Sequence, residues 1–359
     1  MDNDFDEIMN YDAPKNKEVF EKLSALCSGD RLIVPYIGAG LSVFAGFPLW
    51  KNCLVKFINE YCNDKTISIE NLYDAADAII DDLKSEKFNE VFVDTFGGRN
   101  WNIILEKAKN EAVSVIPELF NGPIITTNFD QILEKIHNLK LPIAFPNNIE
   151  EIKKAIKNRK RLIYKIHGCV SKPSDVVFTG QSYIKEYSDN PVLVQILSDF
   201  FRGFRFIFLG CGLDLSESGK DKPIELWEEL GKRMVMKHYA ILACEKDKFE
   251  ERRKELENRN IYPIFYNSGK DNKEHVSVKK ILDKLLSEKN AYSTSEKTLL
   301  IAKELLAAEN KSMVDFVIDD STSDMKAIEK DKEKLTREAK KIFGNISKNA
   351  SLKYNKNRR

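Results

Sequence analysis

The sequence predicts an α/β protein, a parallel sheet with helices packed on both faces. Three observations carry this. Short apolar runs recur between residues 32 and 266, longer segments with helical spacing separate them, and several runs stop abruptly at glycine or small polar residues. Strands buried on both faces read as nearly continuous apolar stretches, and parallel neighbours need a crossover helix between them.

The strand candidates are Leu32–Ile37, Pro123–Thr127, Leu162–Ile166, Arg205–Leu209, Tyr239–Ala243 and Tyr262–Tyr266. About eighty residues separate the first from the second, too many for a simple crossover. Within them Trp50–Tyr61 and Asn71–Leu83 read as helices, the second with Leu72, Ala75, Ala76, Ile79, Ile80 and Leu83 on one stripe. Residues 47–116 are therefore expected to form a helical insertion over the carboxyl edge of the sheet, where open α/β folds bind ligands. The expected organisation is a helical N-terminal arm (1–30), an α/β domain (31–289) and a helical C-terminal extension with a basic, disordered end (290–359).

Charge sets limits on partners. The net charge is +1, which gives no global reason to expect nucleic acid or an anionic membrane. From Asp324 onward, however, twelve Lys or Arg face five Asp or Glu, so that stretch carries +7 and the remainder −6. A solvated terminus and a surface for self-association or a partner protein are both compatible with it. The six cysteines are scattered without a C-x-x-C pair, which suits reduced thiols better than a disulfide framework or a zinc ribbon. The acidic N-terminus lacks a signal-peptide pattern and no apolar stretch is long enough to span a bilayer, so a cytoplasmic location is expected.

Four strand ends concentrate the chemistry. The first strand runs into Gly38-Ala39-Gly40-Leu41-Ser42 with a helix-like pattern after it. Glycine permits close backbone approach and a helix start offers free N–H groups, so this turn suits a phosphate, although a tight structural turn has the same sequence. Val43 stands where the dinucleotide fingerprint has its third glycine. The second strand runs into Thr127-Asn128-Phe129-Asp130 ahead of a helix over Gln131–His137. Asn128 or Asp130 could cap that helix, or both could face a cleft. The third ends in His167-Gly168, where an imidazole with an ordinary pKa near 6.5 could move protons. His137, His238 and His275 lie outside any such motif and read as structural. The fourth ends in Gly210-Cys211-Gly212, with Cys211 a small filler rather than a nucleophile.

Together, in this order, the four motifs resemble the sirtuin superfamily over about residues 31–289. Gly38-Ala39-Gly40-Leu41-Ser42 is similar to its Gly-Ala-Gly-x-Ser signature, Thr127-Asn128-Phe129-Asp130 to its Thr-x-Asn-x-Asp element, His167-Gly168 to its catalytic His-Gly, and Gly210-Cys211-Gly212 to its ribose loop. The paired C-x-x-C motifs that hold zinc in protein-deacylating members are missing, and Gly46-Phe47-Pro48-Leu49-Trp50 loses the acid and arginine of Gly-Ile-Pro-Asp-Phe-Arg. This pattern resembles the zinc-less bacterial branch found in anti-phage, abortive-infection systems.

The resemblance implies a Rossmann-like domain that hydrolyses NAD⁺ to nicotinamide and ADP-ribose, with NAD⁺ as substrate and no zinc. It implies that Asn128 and His167 are catalytic, Asn128 orienting the ribose and the attacking water and His167 acting as base. Gly38, Ala39, Gly40 and Ser42 would hold the pyrophosphate, Asp130 would lie near the carboxamide, and Thr127, Gly210 and Gly212 would complete the nucleotide site. Phe47 and Trp50 would either wall the pocket or serve as core aromatics. A destructive hydrolase has to be restrained, so a homo-oligomer and a companion defence protein, such as an ATPase or a sensor, are expected through the C-terminal extension. An NAD-dependent deacylase or ADP-ribosyltransferase, and a non-catalytic NAD- or ADP-ribose-binding module, are the alternatives.

Overall fold

All five residues of β1 (Ile33–Ile37) are buried, at the centre of the sheet. Ile33 and Ile37 face one core while Val34 and Tyr36 face the other, the period-2 consequence of an extended backbone between two helical layers. β5 (Arg205–Leu209) repeats the alternation, with Ile207 and Leu209 on one side and Phe206 and Phe208 on the other. The structure is a computed structural model that describes residues 3–28, 33–146, 148–158, 160–187, 191–213, 236–267 and 276–293.

The sheet also contains β2 (Ile124–Thr126), β3 (Ile143–Ala144), β4 (Ile163–Lys165), β6 (His238–Ala243) and β7 (Ile261–Tyr266). Among the described residues the order is β3-β4-β2-β1-β5-β6-β7, with every pair parallel. The parallel architecture matches the reading of the sequence, and the six expected strands all form, with ends shifted by a residue or two. β3 gives no signal in the sequence, because two residues at a half-exposed edge make no apolar run. β1 carries Pro35, which has no N–H to give, and its pairing with β2 begins only at the next residue, Tyr36. Since β1 pairs with β2 on one side and β5 on the other, the chain reverses its travel across the sheet there, which opens a crevice at the carboxyl ends.

Helices α1 (Asn3–Tyr11) and α2 (Lys15–Ser28) cover the β7 edge. Asn16 is wholly buried and bonds Phe265 like a strand residue, its Nδ2 donating to the Phe265 carbonyl at 2.7 Å and its Oδ1 accepting the Phe265 N–H at 2.9 Å. A sheet edge is thereby closed to other chains.

Between β1 and β2 come α3 (Trp50–Glu60), α4 (Leu72–Phe96), α5 (Trp101–Ala108) and α6 (Ile116–Leu119). Asn71 starts α4 by accepting the N–H groups of Tyr73 and Asp74. α4 bends at Lys84 (φ +61°), just past the Leu83 where the sequence pattern stopped, and its second arm buries Phe88, Val91, Phe92 and Phe96. Phe92 meets Phe129 after β2 at 5.0 Å and Phe178 at 5.9 Å between ring centroids, which couples the insertion to the loops beyond β2 and β4. Further on are α7 (Ile132–Ile136), α8 (Ile149–Asn158), α9 (Gly180–Tyr187), α10 (Pro191–Gly203) and α11 (Phe249–Glu257).

The chain divides into two compact units, Met1–Lys289 and Asn290–Arg359. The sheet and all the sequence-selected site residues belong to the first. From residue 294 the expected C-terminal extension lies outside the described residues, as do His275, residues 1–2 and 29–30 of the arm, and Leu32. No single helix among the described residues is long and apolar enough to cross a membrane.

Candidate functional site

A cavity of about 430 Å³ opens at the carboxyl ends of β1, β2, β4 and β5, a size suited to a small-molecule ligand. Of the residues singled out in the sequence, Gly38, Ala39, Ser42, Thr127, Asn128, Asp130, His167, Gly210 and Gly212 line it, and Gly40 does not. The insertion contributes Phe47, Pro48, Leu49, Trp50, Lys51, Leu72, Tyr73 and Phe96. Phe47 and Trp50 serve both of their anticipated roles, since each also packs against the main core.

The glycine turn differs from its expected working. Residues Ala39–Ala45 form a 3₁₀ segment rather than an α-helix. The N–H groups of Gly38 and Gly40, expected to be free for a pyrophosphate, donate to the carbonyls of Leu209 and Gly210, each at 2.9 Å. These glycines bring two loops into backbone contact. A Cβ on Gly40 would stand 2.8 Å from the Gly210 oxygen, and one on Gly210, whose φ is +66°, would stand 2.6 Å from the Leu41 nitrogen. Cys211 sits half-buried beside this junction with its Sγ 3.5 Å from the Leu209 carbonyl, which suits a filler.

Asn128 and Asp130 resolve differently. Asp130 Oδ1 accepts the Ile132 N–H at 2.9 Å, the local capping role. Asn128 instead reaches across the sheet. Its Nδ2 donates to the Gly38 carbonyl at 3.1 Å and to Ser42 Oγ at 3.0 Å. The carbonyl can only accept, so the amide orientation is fixed and Oδ1 is the free end. That oxygen is buried and, among the described residues, has no hydrogen-bond partner. Buried polar atoms are nearly always satisfied, so an orphan acceptor in a cavity wall marks where a ligand hydroxyl or water belongs. Ser42 also bonds the Asp130 carboxylate, which links the first two motifs through one hydroxyl. Burial pushes the Asp130 carboxyl above the ordinary range, with Lys165 and the Ile132 and Ser42 hydrogen bonds acting against it.

His167 is 3 % exposed, and burial pushes its imidazole down to about 3. The near-neutral titration expected from the sequence is therefore replaced by a ring that is neutral throughout the physiological range. Tyr183 of α9 places its hydroxyl 3.3 Å from His167 Nδ1, with ring centroids 5.0 Å apart. Trp50, Tyr73 and Tyr183 continue this aromatic wall, with Tyr73 and Tyr183 4.8 Å apart. His137 and His238 are structural: Nδ1 of His137 lies 2.8 Å from the Leu133 carbonyl and Nδ1 of His238 accepts the Phe206 N–H.

Sequence reasoning missed Tyr183, Tyr73, Lys165 and Glu134. Nothing local distinguishes an aromatic that faces a cavity from one in the core. Lys165 had a signal, because a lysine inside an apolar strand needs a buried partner. It ion-pairs with Glu134 at 3.0 Å, both side chains being essentially inaccessible. Among the described residues no cluster of three or more His, Cys, Asp or Glu could hold a metal ion.

Residues 123–264 match the family model of a SIR2-like domain. The chain is 23% identical over 253 residues to an NAD(+) hydrolase ThsA of Bacillus cereus (strain MSX-D12), covering 68% of this chain and 48% of that protein. It is 26% identical over 209 residues to an NAD(+) hydrolase ThsA of Cytobacillus dafuensis, covering 55% of this chain and 39% of that protein. The chain thus spans about half or less of the length of the curated relatives it matches.

Proposed function

We propose NAD⁺ hydrolysis at the nicotinamide–ribose bond, for a chain whose residues 123–264 match the model of a SIR2-like domain. The observation that carries the reading is the unpartnered Oδ1 of Asn128, in the wall of the same cavity as His167. The two relatives named for NAD(+) hydrolysis support the substrate.

In the reaction, the bond between C1′ and the pyridinium nitrogen breaks and its electron pair stays on nitrogen, so nicotinamide leaves neutral. Water bonds to C1′ and loses a proton, giving ADP-ribose. The difficulty is the oxocarbenium-like sugar, which calls for a positioned water and exclusion of bulk solvent. Asn128 Oδ1 would accept from a ribose hydroxyl or the attacking water. Neutral His167, beside the Tyr183 hydroxyl, would accept the proton that the attacking water loses. The Trp50–Tyr73–Tyr183 wall would desolvate the nicotinamide end.

As the effector of an anti-phage system, such a chain would deplete cellular NAD⁺ when released, and its C-terminal extension is the segment proposed for self-association or a companion protein. Purified chain incubated with NAD⁺ should yield nicotinamide and ADP-ribose in equal amounts, followed by chromatography. Asn128→Ala should fold and lose at least about 100-fold in turnover, the low end for a positioning residue. Parent-like turnover by that variant would place the chemistry elsewhere. Nicotinamide release only with an acylated peptide would mark a deacylase instead, and NAD⁺ bound but intact would mark a binding module.

A further inference from the structure

The strands that lead to Asn128 and His167 stop pairing before either residue. The last paired residues of β2 and β4 are Thr126 and Lys165. Beyond them two backbone bonds join the loops, Ile166 N–H to the Thr126 carbonyl and Val170 N–H to the Phe129 carbonyl. A third connection is made by a side chain. Lys165 Nζ donates to the backbone carbonyl of Asp130 at 2.5 Å and pairs with Glu134 Oε1 at 3.0 Å. One ammonium therefore grips both ends of the turn from Asp130 to Glu134, and it does so from the last residue of β4, two residues before His167.

The arrangement is costly to bury. An ion pair withdrawn from water often contributes less stability than apolar side chains of the same volume. Among the described residues, Glu134 Oε2 is buried without a hydrogen-bond partner, and Oε1 meets the Cys169 thiol at 3.7 Å besides the lysine. Burial by itself works against the Lys165 charge, but Glu134, Cys169 and Asp130 more than offset it, so the lysine stays protonated. A core built for stability alone would be better served by leucine or methionine here. What the pair provides that apolar side chains do not is a fixed position for the Asp130 carbonyl, two residues beyond Asn128.

We infer that Lys165, held by Glu134, is a positioning residue that fixes the Asn128–Asp130 loop against the His167 strand end. This rests on the proposed hydrolase reading for its kinetic consequence, though not for its structural one. The geometry of the pair sets the relative placement of two groups that meet the same ribose, and a displacement of about 1 Å between them is enough to cost 100-fold in rate.

The test is the double variant Lys165→Met with Glu134→Met, which removes both charges and leaves neither buried alone. Its melting midpoint should stay close to that of the parent. Amide hydrogen exchange in residues 127–134 should quicken at least about tenfold, and nicotinamide release should lose at least about tenfold in kcat with KM changed less than about threefold. Unchanged exchange in that segment would overturn the inference whatever the kinetics. Quickened exchange with parental kcat would overturn the positioning role. Glu134→Gln keeps an oxygen for Lys165 and guards against failure of the double variant to fold; it should show both effects to a smaller degree, and parent-like behaviour in both would equally refute the strut. If the parent itself releases no nicotinamide, the hydrolase reading fails, while the exchange measurement still decides whether Lys165 fixes the loop.

Discussion

Lowering the pH should weaken the fold through His167 in a way a non-titrating side chain at that position would not. Burial depresses its imidazole to about 3, against about 6.5 in an unfolded chain. The ring is therefore neutral when folded and binds a proton only on unfolding. Its contribution to stability is complete above about pH 6.5 and is lost progressively as pH falls toward about 3. Each proton taken up by the unfolded state alone changes stability by about 1.4 kcal/mol per pH unit. Between pH 7.5 and 5.5 the unfolded histidine passes from about one-tenth to about nine-tenths protonated, so the integrated loss is about 1.4 kcal/mol. Urea unfolding of the parent and of His167→Gln at both pH values isolates this amount, because His238, also depressed to about 3, behaves alike in both proteins. The stability difference between the two proteins should fall by about 1.4 kcal/mol on acidification. A difference that stays constant would mean that His167 is already solvated or charged in the folded chain. Nicotinamide release should likewise show no step near pH 6.5 from this residue.

The remaining expectations concern the loops around it. Gly210→Ala should destabilise by about 2–5 kcal/mol, from the left-handed backbone and the contact with Leu41, whereas Gly212→Ala, with nothing among the described residues within 4 Å of its new methyl, should melt like the parent. Equal melting of the two would refute the loop-to-loop packing. Tyr183→Phe should fold normally and lose about three- to tenfold in kcat, the worth of one hydrogen bond to His167; unaltered kcat would remove Tyr183 from the site. Deletion of residues 295–359 should change the sedimenting species, and an unchanged species would take self-association away from that segment.

Much of the site was legible because its signals are local. A strand that ends in glycine, asparagine or histidine announces itself in a few residues, and the order of such strands places their ends on one edge of a parallel sheet. Thus the sequence alone assigns Asn128 and His167 to one crevice. The two jobs of the Thr-x-Asn-x-Asp turn were not separable that way. Asp130 closes its own helix start while Asn128 reaches Gly38, ninety residues earlier, and nothing in the spacing says which does which.

The sequence by itself determined a parallel sheet, a helical insertion above it and the residues at its carboxyl edge, since periodicity and turn chemistry act over a few residues. Tertiary structure alone decided that the Gly38 and Gly40 donors serve the β5 loop, that His167 is neutral, and that Lys165 is matched by Glu134. Those outcomes depend on desolvation and on partners far away in the chain. Burial and long-range contact are properties of the packed molecule, and no local pattern encodes them.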